Sequence, residues 1–214
     1  MSDLGIDLKE VLEDIGTSFV IRKHVGNDVS GEYLDYDLNS QVTKPFIREF
    51  FLEAVFAYDT EVEAGDLVEL SDGRTFLVMN HSPELFEDEI SEYSSVLYKT
   101  NTTIRVERAS GEARDSHSYE STTVWECITS GESVILVEKE FGSSLDRDSW
   151  VGQIAIEADM CYISGNVPIE PLDRIIEASD YTGEDSDPWR RVEVVKTFDF
   201  DNVQVLHLTE DTRK

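Results

Sequence analysis

Histidine and cysteine, the side chains that most often bind metals or act as nucleophiles, show no catalytic pattern in this chain. Cys127 and Cys161 are the only cysteines, too few for a disulfide scaffold or a cysteine-rich zinc site. Both lie in apolar, β-like stretches, so we expect two buried free thiols. Four histidines lie in separate segments without the spacing of metal ligands: His24, His81, His117 and His207. We therefore expect surface or loop histidines and no metal site.

Carboxylates are so abundant that no single pair of them is informative. The chain has 46 aspartates and glutamates, so two carboxyl groups at glycosidase spacing are always available somewhere. Four Asp-x-Asp pairs resemble fragments of calcium loops: residues 35–37, 146–148, 185–187 and 199–201. None supplies both the glycine at position six and the ligand at position twelve of an EF-hand loop. No nucleophile elbow or phosphate-binding glycine loop occurs either, so the sequence predicts no enzyme and no cofactor.

The net charge argues against a protein that grips nucleic acid. Lysine and arginine number 18 against 46 acids, giving a formal charge of -28, whereas binding a phosphate backbone needs basic patches. Three explanations remain open: a halophilic proteome, an ordinary soluble surface, or a surface that stays near DNA or a membrane without binding it. Like charges repel over a Debye length of roughly 8–10 Å in salt. The third explanation suits a tunnel through which DNA slides.

The first residues are acidic and lack the apolar core of a signal peptide. No apolar run approaches the roughly 18 residues of a membrane span. We therefore expect a protein that folds in the cytoplasm and has no membrane partner.

Three tryptophans, Trp125, Trp150 and Trp189, are candidates for a sugar-binding platform together with the tyrosines. The alternative is that they anchor the core or a subunit interface, as aromatic residues of β-modules often do.

One amphipathic helix is predicted at the start of the chain. Its apolar residues repeat at three- and four-residue spacing and form a single stripe. Asp3 or Asp7 can cap its first turn, and Gly16 stands where a C-cap glycine is expected. A helix this short must pack on its own barrel or on a neighbouring subunit. We predict an oligomer interface formed by Leu4, Leu8, Val11, Leu12 and Ile15.

Beyond the helix, the chain contains one β-like sequence pattern twice. Residues 62–68 (VEAGDLV) precede a turn and the strand 75–79 (TFLVM), and residues 169–176 (IEPLDRII) precede a longer loop and the strand 191–196 (RVEVVK). Asp72-Gly73 between apolar runs is a strong hairpin signal. Two related β-modules are one explanation of the pattern, and chance similarity of short hairpins is the other.

We predict a mainly β fold, with small β-barrel or sandwich modules, one N-terminal helix and long loops. Within it, residues 24–41 form an irregular arm and residues 83–89 a short helical turn or loop. The predicted organisation is 1–22 helix and first strand, 23–108 first β-module with the arm, 109–118 linker, and 119–214 second β-module.

Several segments resemble the small neck proteins of tailed bacteriophages. The resemblance covers the β-core at residues 62–79, its continuation to Asn101, and the closing stretches 162–169, 173–176 and 198–208. The opening helix followed by residues 17–23 (TSFVIRK) is similar as well. The likeness lies in the general character of these segments rather than in an invariant motif, and it covers much of the chain.

The resemblance implies a structural virion protein of the head-closure (stopper) or head–tail connector group. Such a protein forms a homo-oligomeric ring, most often a hexamer, between portal or adaptor and tail, and genomic DNA is only its passing cargo. The greater length of this chain leaves a tail terminator or collar protein open, and a carbohydrate- or receptor-binding tail module is the alternative outside the neck. The candidate channel-facing acidic residues are Glu84, Glu87, Asp88, Glu89, Glu184, Asp185 and Asp187.

Overall fold

The computed structural model describes residues 3–24, 26–37, 51–114, 121–137, 159–184 and 186–213. These residues form one α-helix followed by β-strands, which confirms the mainly β fold with an N-terminal helix. The elements are α1 (Asp3–Ile15), β1 (Thr17–Arg22), β2 (Val29–Asp37), β3 (Phe51–Ala57), β4 (Leu67–Leu70), β5 (Thr75–Phe86), β6 (Glu89–Lys99), β7 (Thr102–Arg114), β8 (Ser121–Val137), β9 (Asp159–Ser164), β10 (Arg174–Glu177), β11 (Arg190–Phe200) and β12 (Val203–Glu210).

The strands close into two barrels with the same topology. Barrel 1 has the order β1-β2-β3-β6-β5-β4, and barrel 2 has the order β7-β8-β9-β12-β11-β10. Adding six to each strand number of barrel 1 reproduces barrel 2, including the pairing of its first strand with its fourth. The chain therefore contains two copies of one six-stranded barrel, as the repeated sequence pattern indicates.

The registers of the two barrels agree at the level of single residues. In barrel 1, Ile21 lies opposite Val68, and in barrel 2, Val106 lies opposite Ile175. All four side chains are at most 2% exposed, because alternate residues of each strand point into the barrel. The equivalence fixes which residues of the two halves correspond.

A buried aspartate ends the turn before the fourth strand of barrel 1. Asp66 is 3% exposed, and its carboxylate accepts a hydrogen bond from the backbone N–H of Glu63 at 2.9 Å. Lys23, which follows β1, donates to the same oxygen at 2.6 Å. Burial outweighs these bonds and raises the pKa of Asp66. One side chain thus joins the turn to the end of the first strand.

Barrel 2 repeats this arrangement with different residues. Asp173 is 2% exposed and accepts the backbone N–H of Glu170 at 2.8 Å. Arg108, two residues after Val106, binds both of its oxygens at 2.8 and 2.9 Å. A lysine in one copy is therefore replaced by a bidentate arginine in the other.

The correspondence extends along the fifth and sixth strands. The Val78 carbonyl accepts a hydrogen bond from the backbone N–H of residue 65, and the Val78 N–H donates to the carbonyl of residue 66. Val192 makes the same two bonds with residues 172 and 173. Phe86 ends β5 eight residues after Val78, and Phe200 ends β11 eight residues after Val192. The two hairpins that follow therefore have equal length.

The described residues divide into two compact units that do not coincide with the barrels. The first unit comprises residues 1–101, 163–167 and 197–204, and the second comprises residues 102–162, 168–196 and 205–214. The core of the first unit contains the T-shaped ring pair Phe19 and Phe56, whose centroids are 5.3 Å apart. The turn of the β11–β12 hairpin belongs to this first unit.

Several predicted boundaries are wrong. Residues 109–114, expected in a linker, are the second half of β7, and residues 115–118 lie outside the described ranges. Residues 29–37 of the predicted arm form β2, and residues 38–50 are not described. The helix does end at Ile15, but Gly16 is required by close packing, since a Cβ there would collide with the Leu12 carbonyl oxygen.

We expect both aspartates to stabilise the fold. Asp173→Asn removes the charge that holds the bidentate arginine, and we expect it to lower the free energy of unfolding by about 2 kcal/mol, measured by urea denaturation. Asp66→Asn should lower the free energy of unfolding by less, about 1 kcal/mol at neutral pH, because burial of Asp66 opposes its charged form and offsets part of the contribution of its hydrogen bonds. The pKa of Asp66 is raised in the folded state, so its stabilising contribution is complete below the unfolded-state pKa. The cost of Asp66→Asn should therefore shrink as pH rises through the folded-state pKa.

The matched control is Asp35→Asn, which removes the same charge from an exposed position on β2. Equal costs for all three substitutions would show that net charge, rather than these two contacts, decides stability.

Candidate functional site

The acidic segment at residues 84–89 is the tip of the β5–β6 hairpin rather than the predicted helical turn or loop. Strand pairing continues through Leu85 with Ile90 and Phe86 with Glu89. The two residues between the strands, 87 and 88, have φ angles of 52° and 66°. Positive φ at both central positions is the mark of a type I′ turn, whose twist matches that of the strands.

This hairpin tip holds like charges close together. Glu84 lies directly across from Glu92, and such pairs are destabilising. Burial, together with the negative charge of Glu84, raises the pKa of Glu92. Glu87, Asp88 and Glu89 add three further exposed acids. The pairing of β5 with β6 and the type I′ turn maintain the hairpin in spite of this repulsion.

The same tip exposes large apolar side chains. Leu85 is 65% exposed, Phe86 47% and Ile90 37%. Clustered exposed apolar residues rimmed by charges are typical of protein interaction surfaces. The hairpin tip, residues 84–90, is therefore a candidate surface for contacting another protein.

Helix α1 packs one side of its apolar stripe on barrel 1. Leu12 is only 7% exposed, Leu4 and Leu8 are half-buried, and the helix contacts β2, β3 and β6. Leu12 is therefore part of the core of its own subunit, and the prediction that it forms an oligomer interface is wrong. Val11 and Ile15 stay exposed, at 50% and 80%, and remain candidates for such an interface.

This division of the stripe predicts two different mutational effects. Leu12→Ala should lower the free energy of unfolding by about 2 kcal/mol, because it leaves a cavity under the helix. Ile15→Ala, at an exposed position, should change it by less than about 0.5 kcal/mol. Urea denaturation followed by circular dichroism measures both. An equal loss in the two variants would mean that both sides of the stripe are buried in solution.

The second predicted acidic loop is held by one of its own carboxylates. Asp187 accepts hydrogen bonds from the backbone N–H of Thr182 at 3.1 Å and of Gly183 at 2.9 Å. The hydroxyl of Thr182 donates to it as well, and these bonds lower the pKa of Asp187. Glu184 is exposed, and Asp185 lies outside the described residues. Asp187 therefore has a structural role in shaping this loop.

Beside this loop, an arginine lies between two tryptophans. The guanidinium carbon of Arg174 is 3.8 Å from the ring centroid of Trp125 and 4.0 Å from that of Trp189. Its nitrogens bind Glu107, a carboxylate with only 7% of its side chain exposed, at 2.6 Å. Tyr181 packs edge-on against Trp189, with centroids 5.9 Å apart. The cluster joins β7, β8, β10 and the loop before β11.

The aromatic cluster is poorly suited to bind a sugar. A sugar platform needs an open ring face, but Arg174 covers one face of each indole and Trp189 is 8% exposed. The pocket lined by both indoles measures about 150 Å³, below the roughly 300–1,000 Å³ typical of small-molecule sites, while a wider pocket of about 460 Å³ beside Trp189 is lined mainly by polar and charged residues. The geometry supports the interpretation of Trp125 and Trp189 as packing anchors. Trp150 lies outside the described residues.

Replacing the arginine tests the structural role of the cluster. Arg174→Lys keeps the charge beside Glu107 but loses the planar group between the indoles, and we expect a loss of about 1–2 kcal/mol in stability. Tryptophan emission should shift to longer wavelength as water reaches the rings. The control is Arg22→Lys, an exposed arginine of β1 paired with Glu69. Unchanged emission in Arg174→Lys would contradict a stacking role.

The described histidines and cysteines show no catalytic arrangement, and His117 lies outside the described residues. Among the described residues, no group of three His, Cys, Asp or Glu side chains could hold a metal ion. His81 is half-buried in β5, stacks on Tyr93 and lies 2.8 Å from the Ser95 hydroxyl, so the expectation of a surface or loop residue is wrong for it. Burial lowers its pKa.

The two thiols differ in environment. Cys161 is buried, and burial raises the pKa of its thiol to about 12, so it is unreactive in the folded protein. Cys127 is exposed on β8, contrary to expectation. Both are free thiols, as predicted.

One exposed residue in barrel 2 has a strained backbone. Leu172 has a φ of 77° and is 57% exposed, and the left-handed region costs a residue other than glycine about 1–2 kcal/mol. The equivalent residue of barrel 1 is Gly65, with a φ of 87°. Arg213 donates to the Leu172 carbonyl at 2.9 Å. An exposed leucine therefore occupies a position whose backbone conformation suits glycine better.

Sequence reasoning did not single out Leu85, Phe86 and Leu172, whose side chains the structure exposes. The signal was available for the first two, since adjacent large apolar residues within an acidic segment are unusual for a solvated loop. For Leu172 the signal was the repeat itself, because setting residues 62–66 beside 169–173 places it at the position of Gly65; its positive φ is seen only in the structure.

Comparison with family models, with curated proteins and with solved structures found no match for this chain. Within the described ranges, no helix combines the length and apolar character needed to cross a membrane.

Proposed function

We propose that this chain is a structural component of the neck of a tailed bacteriophage. Its copies assemble into a ring between portal or adaptor and tail, close the filled head and allow DNA to pass. The proposal joins the resemblance of the sequence to neck proteins with the tandem small barrels and their exposed apolar surfaces.

The observation that most supports assembly is the tip of the β5–β6 hairpin. Leu85 and Phe86 are exposed on an ordered strand ending, where the type I′ turn keeps them in one orientation. The exposed side of α1, with Val11 and Ile15, offers a second apolar surface. A protein that contacts several neighbours in a particle needs more than one such surface.

The charge of the chain favours passage of DNA over its capture. With 46 acids against 18 cations, an approaching duplex meets repulsion that fades as salt rises. Eight arginines of the described residues pair with carboxylates, as Arg108 does with Asp173 and Arg174 with Glu107. They are therefore poorly placed to form a basic groove.

A tail terminator or a collar protein would use the same surfaces, so these variants of the proposal differ only in position. The carbohydrate-binding alternative is less well supported, because Arg174 covers one face of each indole and Trp189 is 8% exposed.

The proposal predicts a specific location in intact particles. Antibodies raised against the full chain, used in immuno-electron microscopy, should label the junction between head and tail. The purified chain should also fail to retain duplex DNA at physiological salt. Label at the tips of tail fibres would instead indicate a receptor-binding module, and tight DNA binding would contradict the account of the charge.

A further inference from the structure

We propose that copies of this chain associate head to tail, with the β5–β6 hairpin tip of one copy docked on the turn at residues 171–172 of the next. The inference rests on the self-assembly in the proposed function but does not require that the assembly be a phage neck. Its basis is a contact already present within the chain, between one copy of the repeated hairpin and one copy of the repeated turn.

That contact lies within the first compact unit. The carbonyl oxygen of Asn202, in the turn of the β11–β12 hairpin, accepts the backbone N–H of Gly165 at 2.6 Å. The side-chain amide of Asn202 donates to the Ala64 carbonyl at 2.9 Å. A Cβ on Gly65 would collide with the Asn202 carbonyl. The turn of the β11–β12 hairpin therefore rests directly on the turn at residues 64–65.

The repeat supplies a second hairpin and a second turn that correspond to these. The turn at residues 171–172 corresponds to residues 64–65, because each immediately precedes the repeated aspartate. Asp88 corresponds to Asn202, because both are the second turn residue of hairpins of equal length, with φ angles of 66° and 49°. One hairpin and one acceptor turn are thus used inside the chain. Among the described residues, α1 approaches the base of the β5–β6 hairpin at Ile90 and Arg213 binds the Leu172 carbonyl, but the side chains of Leu85, Phe86 and Leu172 stay exposed.

Leu172 and Leu85 stand where the docked pair has Gly65 and Asp199, whereas Phe86 has a phenylalanine, Phe200, at its equivalent position. Leu172 is 57% exposed and Leu85 is 65% exposed. The leucine side chain prevents the close backbone approach seen at Gly65, so the second contact is made between side chains.

The charged groups beside the two elements differ. The segment from residue 75 to 98 contains no lysine or arginine, and the hairpin tip has four acids. At the acceptor turn, Arg108 binds the Pro168 carbonyl and Arg213 binds the Leu172 carbonyl, and each leaves 29% of its side chain exposed. Arg108 is also paired with Asp173 and Glu170, and Arg213 with Asp211, so neither arginine is an unpaired cation and the apolar match, rather than charge, carries the contact.

The partner that fits is a second copy of this chain. A contact between two different surfaces is heterologous, and repeating it generates a closed ring when the rotation closes and a filament when it does not. The hairpin tip, predicted from sequence to face a channel, is then assigned to the interface between copies.

Paired substitutions test the apolar part of the contact. Leu85→Ser with Phe86→Ser should weaken self-association of the full chain by about tenfold or more in sedimentation velocity. The control, Val124→Ser with Val194→Ser, removes apolar groups of 44% and 45% exposure from barrel 2 and should have no such effect. Circular dichroism confirms that both variants fold. Equal weakening in the two, or a wild-type chain that stays monomeric, would overturn the proposal.

Cross-linking tests the geometry directly. In a Cys127→Ser background, Asp88→Cys and Leu172→Cys are made in separate chains, mixed and oxidised. A disulfide joining the two different variants is expected, with little product from either variant alone. Association without this heterodimer would place the interface elsewhere and overturn the proposal. A heterodimer in solution from a chain absent from the head–tail junction would instead refute only the phage location.

Discussion

The buried aspartate before the fourth strand is the contact on which both barrels depend. Asp66 and Asp173 each accept the backbone N–H three residues earlier, and each binds a cation from the region of the first strand, Lys23 just after β1 and Arg108 within β7. The first strand pairs with the fourth in each barrel, so this contact lies where the sheet closes on itself. Burying a carboxylate is costly unless it is paired and hydrogen-bonded, and here one side chain meets both conditions.

Retaining this contact leaves the surrounding turns free to diverge. In barrel 1 the turn residue before the aspartate is Gly65, whose missing Cβ allows a hairpin turn to rest on it. In barrel 2 the same position is Leu172, strained and exposed, which favours a contact made from outside. The two equivalent turns therefore differ: one contacts the β11–β12 hairpin within the first compact unit, and the other exposes its leucine side chain.

Much of the fold was predictable because it depends on short-range patterns. The alternation of apolar residues identifies the strands, the spacing of Leu4, Leu8 and Leu12 identifies the helix, and the repeated aspartate identifies the duplication. The interaction surfaces were less predictable. The apolar stripe of α1 does not reveal that Leu12 faces the barrel while Ile15 faces solvent, since that depends on the tilt of the helix. The aromatic cluster around Arg174 joins residues from β8, β10 and a loop, a juxtaposition that no local pattern encodes.

The claim that the chain is one barrel built twice is tested most directly by cross-strand NMR contacts between methyl groups. In a sample labelled at isoleucine and valine methyls, the account predicts nuclear Overhauser effects between Ile21 and Val68 and also between Val106 and Ile175. These pairs join the first and fourth strands at the same position of the two barrels. Observing the first pair without the second would contradict the account, because barrel 2 would then lack the closure that defines the repeat.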